Sequence, residues 1–187
     1  FAVAGARAGE VSGAPMVDAG RGALQRPVSG LDEDERERFF RGRALFNQSW
    51  VVAPARDDRV DGLGPLYNRL ACVSCHARNG RGVPPESPGE RMQSMLLRLS
   101  VPGRPAEGGV RPHPAYGEQF NEEAIPGVPP EGRAVLRWVE SRRRLADGTL
   151  VRLRQPRITF RELGYGPLGR VLVSPRVGQQ VVGMGLL

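Results

Sequence analysis

The chain has 187 residues, 40% of them hydrophobic and 6% aromatic, with 25 glycines and 17 prolines. That length suits one domain with an appendage, and the composition gives a thin apolar supply with many turns between short elements. The formal charge of +7 rests on 27 basic residues, all arginine. They are spread along the chain apart from Arg142-Arg143-Arg144. No nucleic-acid motif with interleaved aromatics accompanies them and no apolar run approaches a membrane span, so nucleic-acid-binding and membrane-spanning classes are set aside. The charge reads either as a solvated basic surface or as a face that steers an acidic redox partner protein.

Residues 1–30 are rich in Gly, Ala, Pro and Arg with no apolar period. They are expected to form a flexible leader or wrapping arm. The chain starts at Phe1, which reads as processing or fragmentation, and Ala6-Arg7-Ala8 has the small-x-small pattern of a secretory cleavage site.

Leu31-Asp32-Glu33-Asp34-Glu35 opens a helix. Asp32 can cap it, Glu35 can return a bond to the cap amide, and the acidic first turn suits the positive end of the helix dipole. Phe39, Gly42, Leu45 and Phe46 recur at helical spacing and predict one apolar face, with Gly42 at a close approach of another helix or a cofactor edge. Trp50 follows. Asp57 to Pro65 is a turn-rich loop whose aspartates lack the spacing and closing Glu of a calcium site.

Leu66 to Arg78 is expected to be a short helix, stopped by Asn79-Gly80-Arg81-Gly82. It carries both cysteines of the chain and one of its two histidines in Cys72-Val73-Ser74-Cys75-His76. Cys-x-x-Cys-His is the attachment signature of c-type haem. Two thiols reach the two vinyl groups on one porphyrin edge, and the adjacent imidazole lies under the iron as the proximal ligand. Zinc would need four ligands, and no second Cys or His pair follows. A thioredoxin-like dithiol would sit near a βαβ pattern, which is absent. A haem-free binding domain with a Cys72–Cys75 disulfide is the remaining alternative, and an absorption spectrum separates it. A buried porphyrin would add apolar surface that this sequence need not encode. Covalent haem is attached outside the cytoplasm, so the motif implies a periplasmic or otherwise exported protein.

Beyond the motif, Met95 to Leu99, Leu150 to Arg154 and Arg157 to Phe160 read as strands, the last two separated by Gln155-Pro156. Ala146-Asp147-Gly148-Thr149 offers a hairpin turn before them. Arg133 to Arg143 reads as either helix or strand.

Several segments in order resemble a known family. Gly42-Arg43-Ala44-Leu45-Phe46 and Trp50 precede Asp61-Gly62-Leu63-Gly64-Pro65-Leu66-Tyr67-Asn68, the haem motif, and Gly80-Arg81-Gly82 with Pro84-Pro85. Tyr116-Gly117-Glu118-Gln119, Pro126-Gly127-Val128, Asp147-Gly148, Ser174-Pro175-Arg176 and Gly183-Met184-Gly185-Leu186-Leu187 follow. From about residue 31 onward the chain resembles the N-terminal part of the di-haem oxidoreductases, a thiol oxidoreductase-like group related to bacterial di-haem cytochrome c peroxidases. The resemblance implies a second Cys-x-x-Cys-His in a following domain. One motif is present here, so the chain is expected to be an N-terminal half or fragment with one covalent haem c and a second haem domain missing.

The expected fold is α+β and loop-rich. Residues 31–187 would form a cytochrome c-like helical haem core, with short antiparallel strands appended from about residue 93. Cys72 and Cys75 are the expected thioether anchors and His76 the proximal ligand. Arg78 and Arg81 are candidates to pair with haem propionates. The distal ligand stays open among Met184, His113 (expected in an exposed loop), Tyr116 and a vacant site, while Met92 and Met95 read as packing residues. The expected function is electron transfer. Peroxidase-like chemistry at an open iron is the alternative, and its family form would need two haems.

Overall fold

The computed structural model describes residues 20–105 and 108–182. Among them the elements run α1 (Glu33–Asn47), β1 (Leu66–Tyr67), α2 (Cys72–Cys75), β2 (Met95–Ser100), β3 (Gln119–Phe120), β4 (Glu123–Ala124), β5 (Arg133–Arg144), β6 (Leu150–Arg161) and β7 (Leu172–Val177). Short 3-10 turns lie at Ala23–Gln25 and Ala77–Asn79. No helix among the described residues is long and apolar enough to cross a membrane.

The molecule is built on strands, which overturns the expected cytochrome c-like helical core. Its α-helices are α1, with 15 residues, and α2, with four, and neither buries a residue. The buried cluster is instead Met92, Met95, Leu97, Leu99, Tyr116, Phe120, Ala134, Leu136 and Leu168. The reason is visible in the patterns. In β2 burial alternates strictly, so Met95, Leu97 and Leu99 share one covered face. In α1 the apolar positions are few and flanked by charge, and Phe40 and Leu45 are exposed.

The three-stranded sheet has the order β3-β2-β7 and is antiparallel, with Met95 opposite Val177 and Leu97 between Phe120 and Pro175. Against it packs the base of the β5–β6 hairpin. Phe120 and Phe160 meet edge to face at 4.8 Å, a favoured aromatic geometry. Trp138 Nε1 donates to the Pro85 carbonyl at 2.8 Å and pins the hairpin to the loop after the haem motif.

Several local expectations hold. The capping box at Asp32 and Glu35 forms in both directions, at 2.8 and 3.0 Å. The hairpin turn forms at Ala146–Thr149, with the Leu145 amide donating to the Thr149 carbonyl. Met92 and Met95 are core residues.

The segment left open between helix and strand is strand, Arg133–Arg144. Others are corrected. β6 runs unbroken through Gln155-Pro156, with Val139 opposite Gln155 and Trp138 opposite Pro156 in the ladder. A Cβ on Gly42 would meet nothing within 4 Å, so no close approach requires that glycine. The helix expected over 66–78 shrinks to Cys72–Cys75. Leu66–Tyr67 pairs instead with Glu123–Ala124, and the Asn68 amide reaches the Phe120 carbonyl and Asn121 Oδ1. Of the leader, residues 20–30 are described. The Leu24 carbonyl there accepts from Asn79 Nδ2, which ties this stretch to the motif.

Candidate haem-attachment site

α2 sets the spacing of the motif. Cys72 and Cys75 lie one helical turn apart, so their side chains project from the same side. Both are free thiols, Cys72 exposed and Cys75 half-buried. Burial pushes the Cys75 thiol above its ordinary value, and the nearby Arg69 guanidinium pulls partly the other way. Past Cys75 the helix ends at His76, and the chain turns through left-handed Arg78 and Asn79.

His76 is held from a distance. Its Nδ1 lies 2.6 Å from the carbonyl oxygen of Gln179, 103 positions later. A carbonyl can only accept, so Nδ1 carries the proton and the neutral ring keeps its lone pair on Nε2. This is the arrangement that orients a metal-ligating imidazole and raises its basicity.

The segment carrying Gln179 is stitched down beside the motif. The Gly82 amide donates to the Gly178 carbonyl at 2.8 Å, the Gly178 amide to Ser94 at 2.9 Å, and the Val181 amide to Asn79 at 2.8 Å. The close approach demands two glycines. A Cβ on Gly82 would stand 2.5 Å from Ser94 Cβ, and one on Gly178 would stand 3.2 Å from both the Cys75 oxygen and His76 Cε1.

On the other side, Gln93 Nε2 donates to the Ser74 carbonyl. Arg69 donates to the carbonyls of Asn68, Met92 and Gln93. Burial lowers the Arg69 pKa, and the Cys75 sulfur partly offsets that. The Phe46 ring lies 6.1 Å from the His76 ring. A cleft of about 320 Å³ opens beside Ser74, lined in part by Tyr67, Asn68, Arg69 and Gln93. A larger hollow of about 450 Å³ lies on the outer face of the three-stranded sheet and contains none of the motif residues.

The donor set fits a covalently held haem. Two free thiols at the required spacing adjoin an imidazole whose Nδ1 is already engaged and whose Nε2 has no partner among the described residues. Exposed apolar side chains at Phe40, Leu45, Trp50, Val51 and Leu70 lie on the segments flanking the motif. Among the described residues no group of three or more His, Cys, Asp or Glu gathers as a metal centre.

The remaining sequence candidates are distributed differently. Arg78 and Arg81 are exposed, with no side-chain partner among the described residues. His113 is buried, against the expectation of an exposed loop. Its Nδ1 accepts from the amides of Ala115 and Tyr116, and its Nε2 faces the Leu168 carbonyl at 3.1 Å. Tyr116 is buried too, its hydroxyl donating to Gly166 and accepting from the Tyr165 amide. Both side chains are committed to the core, because the Pro-flanked segment folds back over Leu168. Met184 lies outside the described residues. Sequence reasoning missed Arg69, Gln93 and the Gly178–Gln179 carbonyl, and none of these has a local signal. Phe46 was singled out only as helix face.

A family model described as "Di-haem oxidoreductase, putative peroxidase" matches residues 6–100, a stretch that contains the whole Cys-x-x-Cys-His motif. The chain belongs to this di-haem oxidoreductase family. Membership makes haem-dependent oxidoreductase chemistry its coarse functional class. No curated protein and no solved structure matches the chain. The matched stretch ends with β2, so the hairpin and β7 fall beyond it.

Proposed function

We propose that this chain is an electron-transfer domain carrying one haem c. Thioethers would form at Cys72 and Cys75 Sγ, and His76 Nε2 would be the proximal donor. The observation that carries the reading is the His76 ring, whose Nδ1 is committed to the Gln179 carbonyl so that Nε2 is the available ligand. Bound there, a haem supplies reversible one-electron exchange.

The chain's own residues would do the rest. The two cysteines hold one porphyrin edge against α2. The Gln179 carbonyl keeps the proximal imidazole in one tautomer and orientation. Phe46 and its exposed apolar neighbours on α1 would shield the ring from water. Arg78 and Arg81, with no side-chain partner among the described residues, would pair with propionates. Engagement of His113 and Tyr116 elsewhere leaves Met184 or a vacant position as the distal alternatives.

The 187 residues hold one Cys-x-x-Cys-His. The second haem of the di-haem class would therefore be carried outside them, and peroxide turnover would require it. Covalent attachment implies export to the periplasm or its equivalent, with a redox partner protein as electron donor or acceptor.

The test is production in an exporting, haem-maturing host. Denatured protein should keep the added mass of one haem, and Cys72→Ala/Cys75→Ala should lose it. Absence of covalent haem in the parent protein overturns the proposal. A reduced spectrum that changes with carbon monoxide would shift the reading from electron transfer to an open, peroxide-binding iron.

A further inference from the structure

The β5–β6 hairpin projects beyond the body of the molecule. Its base is held by Leu136 and Ala134 in the core and by Trp138 on Pro85. From Val139 to Gln155 every residue except Val151 is exposed. Residues 133–161 contain nine arginines against Glu140 and Asp147, a net +7. That equals the formal charge of the whole chain, so the remaining residues balance to zero.

The register sets these charges against one another. Arg133 faces Arg161, Arg137 faces Arg157, and Arg142 faces Arg152. Like charges directly opposite each other destabilise a ladder. Among the described residues, only Arg152, on Glu140, and Arg154, on Glu86, find carboxylates. Alternation along the strands distributes the arginines to both faces. Arg137, Arg143 and Arg157 project to one side, and Arg142, Arg144 and Arg152 to the other.

The tip adds apolar surface. Leu145 and Leu150 flank the turn at 49% and 59% exposure, with Leu153 at 46%. The single acid at the turn, Asp147, accepts from the Thr149 amide at 2.9 Å.

We propose that this ribbon is a docking arm for an anionic lipid surface. A rigid protein partner would engage one face. Basic side chains on both faces, ending in exposed leucines, suit a medium that surrounds the tip. Headgroup phosphates would meet the arginines, and the acyl boundary would take Leu145 and Leu150. A second copy of the chain is disfavoured by the repulsion of two +7 ribbons, and nucleic acid gives the leucines nothing to enter. The inference is independent of the haem reading.

The experiment is co-sedimentation of the full chain with phosphatidylglycerol vesicles and, separately, with phosphatidylcholine vesicles. Binding should be confined to phosphatidylglycerol and be lost at high salt. Arg142→Gln/Arg143→Gln/Arg144→Gln should weaken it by about a hundredfold, at roughly fivefold for each arginine near an anionic membrane. Leu145→Ser/Leu150→Ser should weaken it by about tenfold. Removing three arginines from α1, in Arg36→Gln/Arg38→Gln/Arg43→Gln, should leave it near the parent value. Circular dichroism of each variant checks the fold, and the parent's lipid and salt responses stand without any variant. Equal binding to both vesicles, no binding to phosphatidylglycerol at low salt, or an unchanged triple ribbon variant would overturn the proposal. So would tighter binding to a polyglutamate peptide or to duplex DNA than to the vesicles.

Discussion

The stretch from α1 through the haem motif and the stretch from β2 through β7 hold their side chains in place by opposite means. In the second, apolar packing dominates: Phe120, Leu136 and Leu99 are almost fully buried and touch across two sheets. In the first, α1 buries nothing, and the motif and its neighbours are held largely by hydrogen bonds: Gln93 donates to the Ser74 carbonyl, His76 to the Gln179 carbonyl, the Gly82 amide to the Gly178 carbonyl, and Arg69 to the carbonyls of Asn68, Met92 and Gln93. A packed core fixes a fold but tolerates small shifts of any one group. Directed bonds fix one imidazole and the backbone on either side of the two cysteines, and exposed apolar side chains remain on the flanking segments.

The contrast is broken most directly in the core. Phe120→Ala should cost about 3–5 kcal/mol of unfolding free energy in a urea titration, the usual range for a fully buried aromatic. Phe46→Ala, on α1, should cost about 1 kcal/mol or less in haem-free protein, in line with a side chain outside the core. Equal losses at the two positions would mean that α1 is packed as firmly as the sheet.

A sharper probe sits where the two regions meet. Gly82→Ala would drive a methyl into Ser94 on one side and toward the Cys75 carbonyl on the other. Overpacking of this kind should cost about 1–3 kcal/mol and reduce the haem incorporated per chain. The milder Gly178→Ala, with contacts at 3.2 Å rather than 2.5 Å, should leave stability closer to the parent. Because it nudges the Gln179 carbonyl under His76, it should still move the midpoint potential. If the potential stays fixed while stability falls, the carbonyl is structural only.

The smallest effect concerns a buried carboxyl inside the strand-built region. Glu131 is 3% exposed, and burial raises its carboxyl above the ordinary 4.5, although the Asn121 amide donates to it. The folded state therefore holds this proton more tightly than the unfolded state. The contribution to stability is complete below the ordinary value and is lost as pH rises through the folded one. Urea midpoints of the parent should fall as pH rises above about 4.5. Those of Glu131→Gln, whose amide oxygen can still accept from Asn121, should fall less. Identical pH profiles would remove Glu131 from the account.

Much of the local structure was legible beforehand. A capping box is written in four residues, an Asp-Gly turn in two, and the apolar strand from Met95 to Leu99 in five. All three depend only on neighbours in sequence, and all three formed. The helical core failed as an expectation because Phe39, Leu45 and Phe46 have helical spacing without enough flanking apolar residues to seal a face. The assignment of 133–144 stayed open because Leu136 and Trp138 fit either period. Pairing with β6, residue for residue, resolved it as strand. That Arg78 and Arg81 meet no carboxylate among the described residues likewise depends on where other carboxylates lie.

The sequence by itself determined the Cys72-x-x-Cys75-His76 spacing, the start of α1, the hairpin turn, and a net positive charge whose basic residues are all arginine. Each is a property of adjacent residues or of a count. Only the tertiary structure decided that Gln179 would engage His76, that His113 and Tyr116 would be spent inside the core, and that the charge would stand out on one exposed ribbon. Those outcomes depend on contacts between residues tens of positions apart. Such contacts form where burial and backbone hydrogen bonding favour the whole chain at once, and no local window of sequence contains that balance.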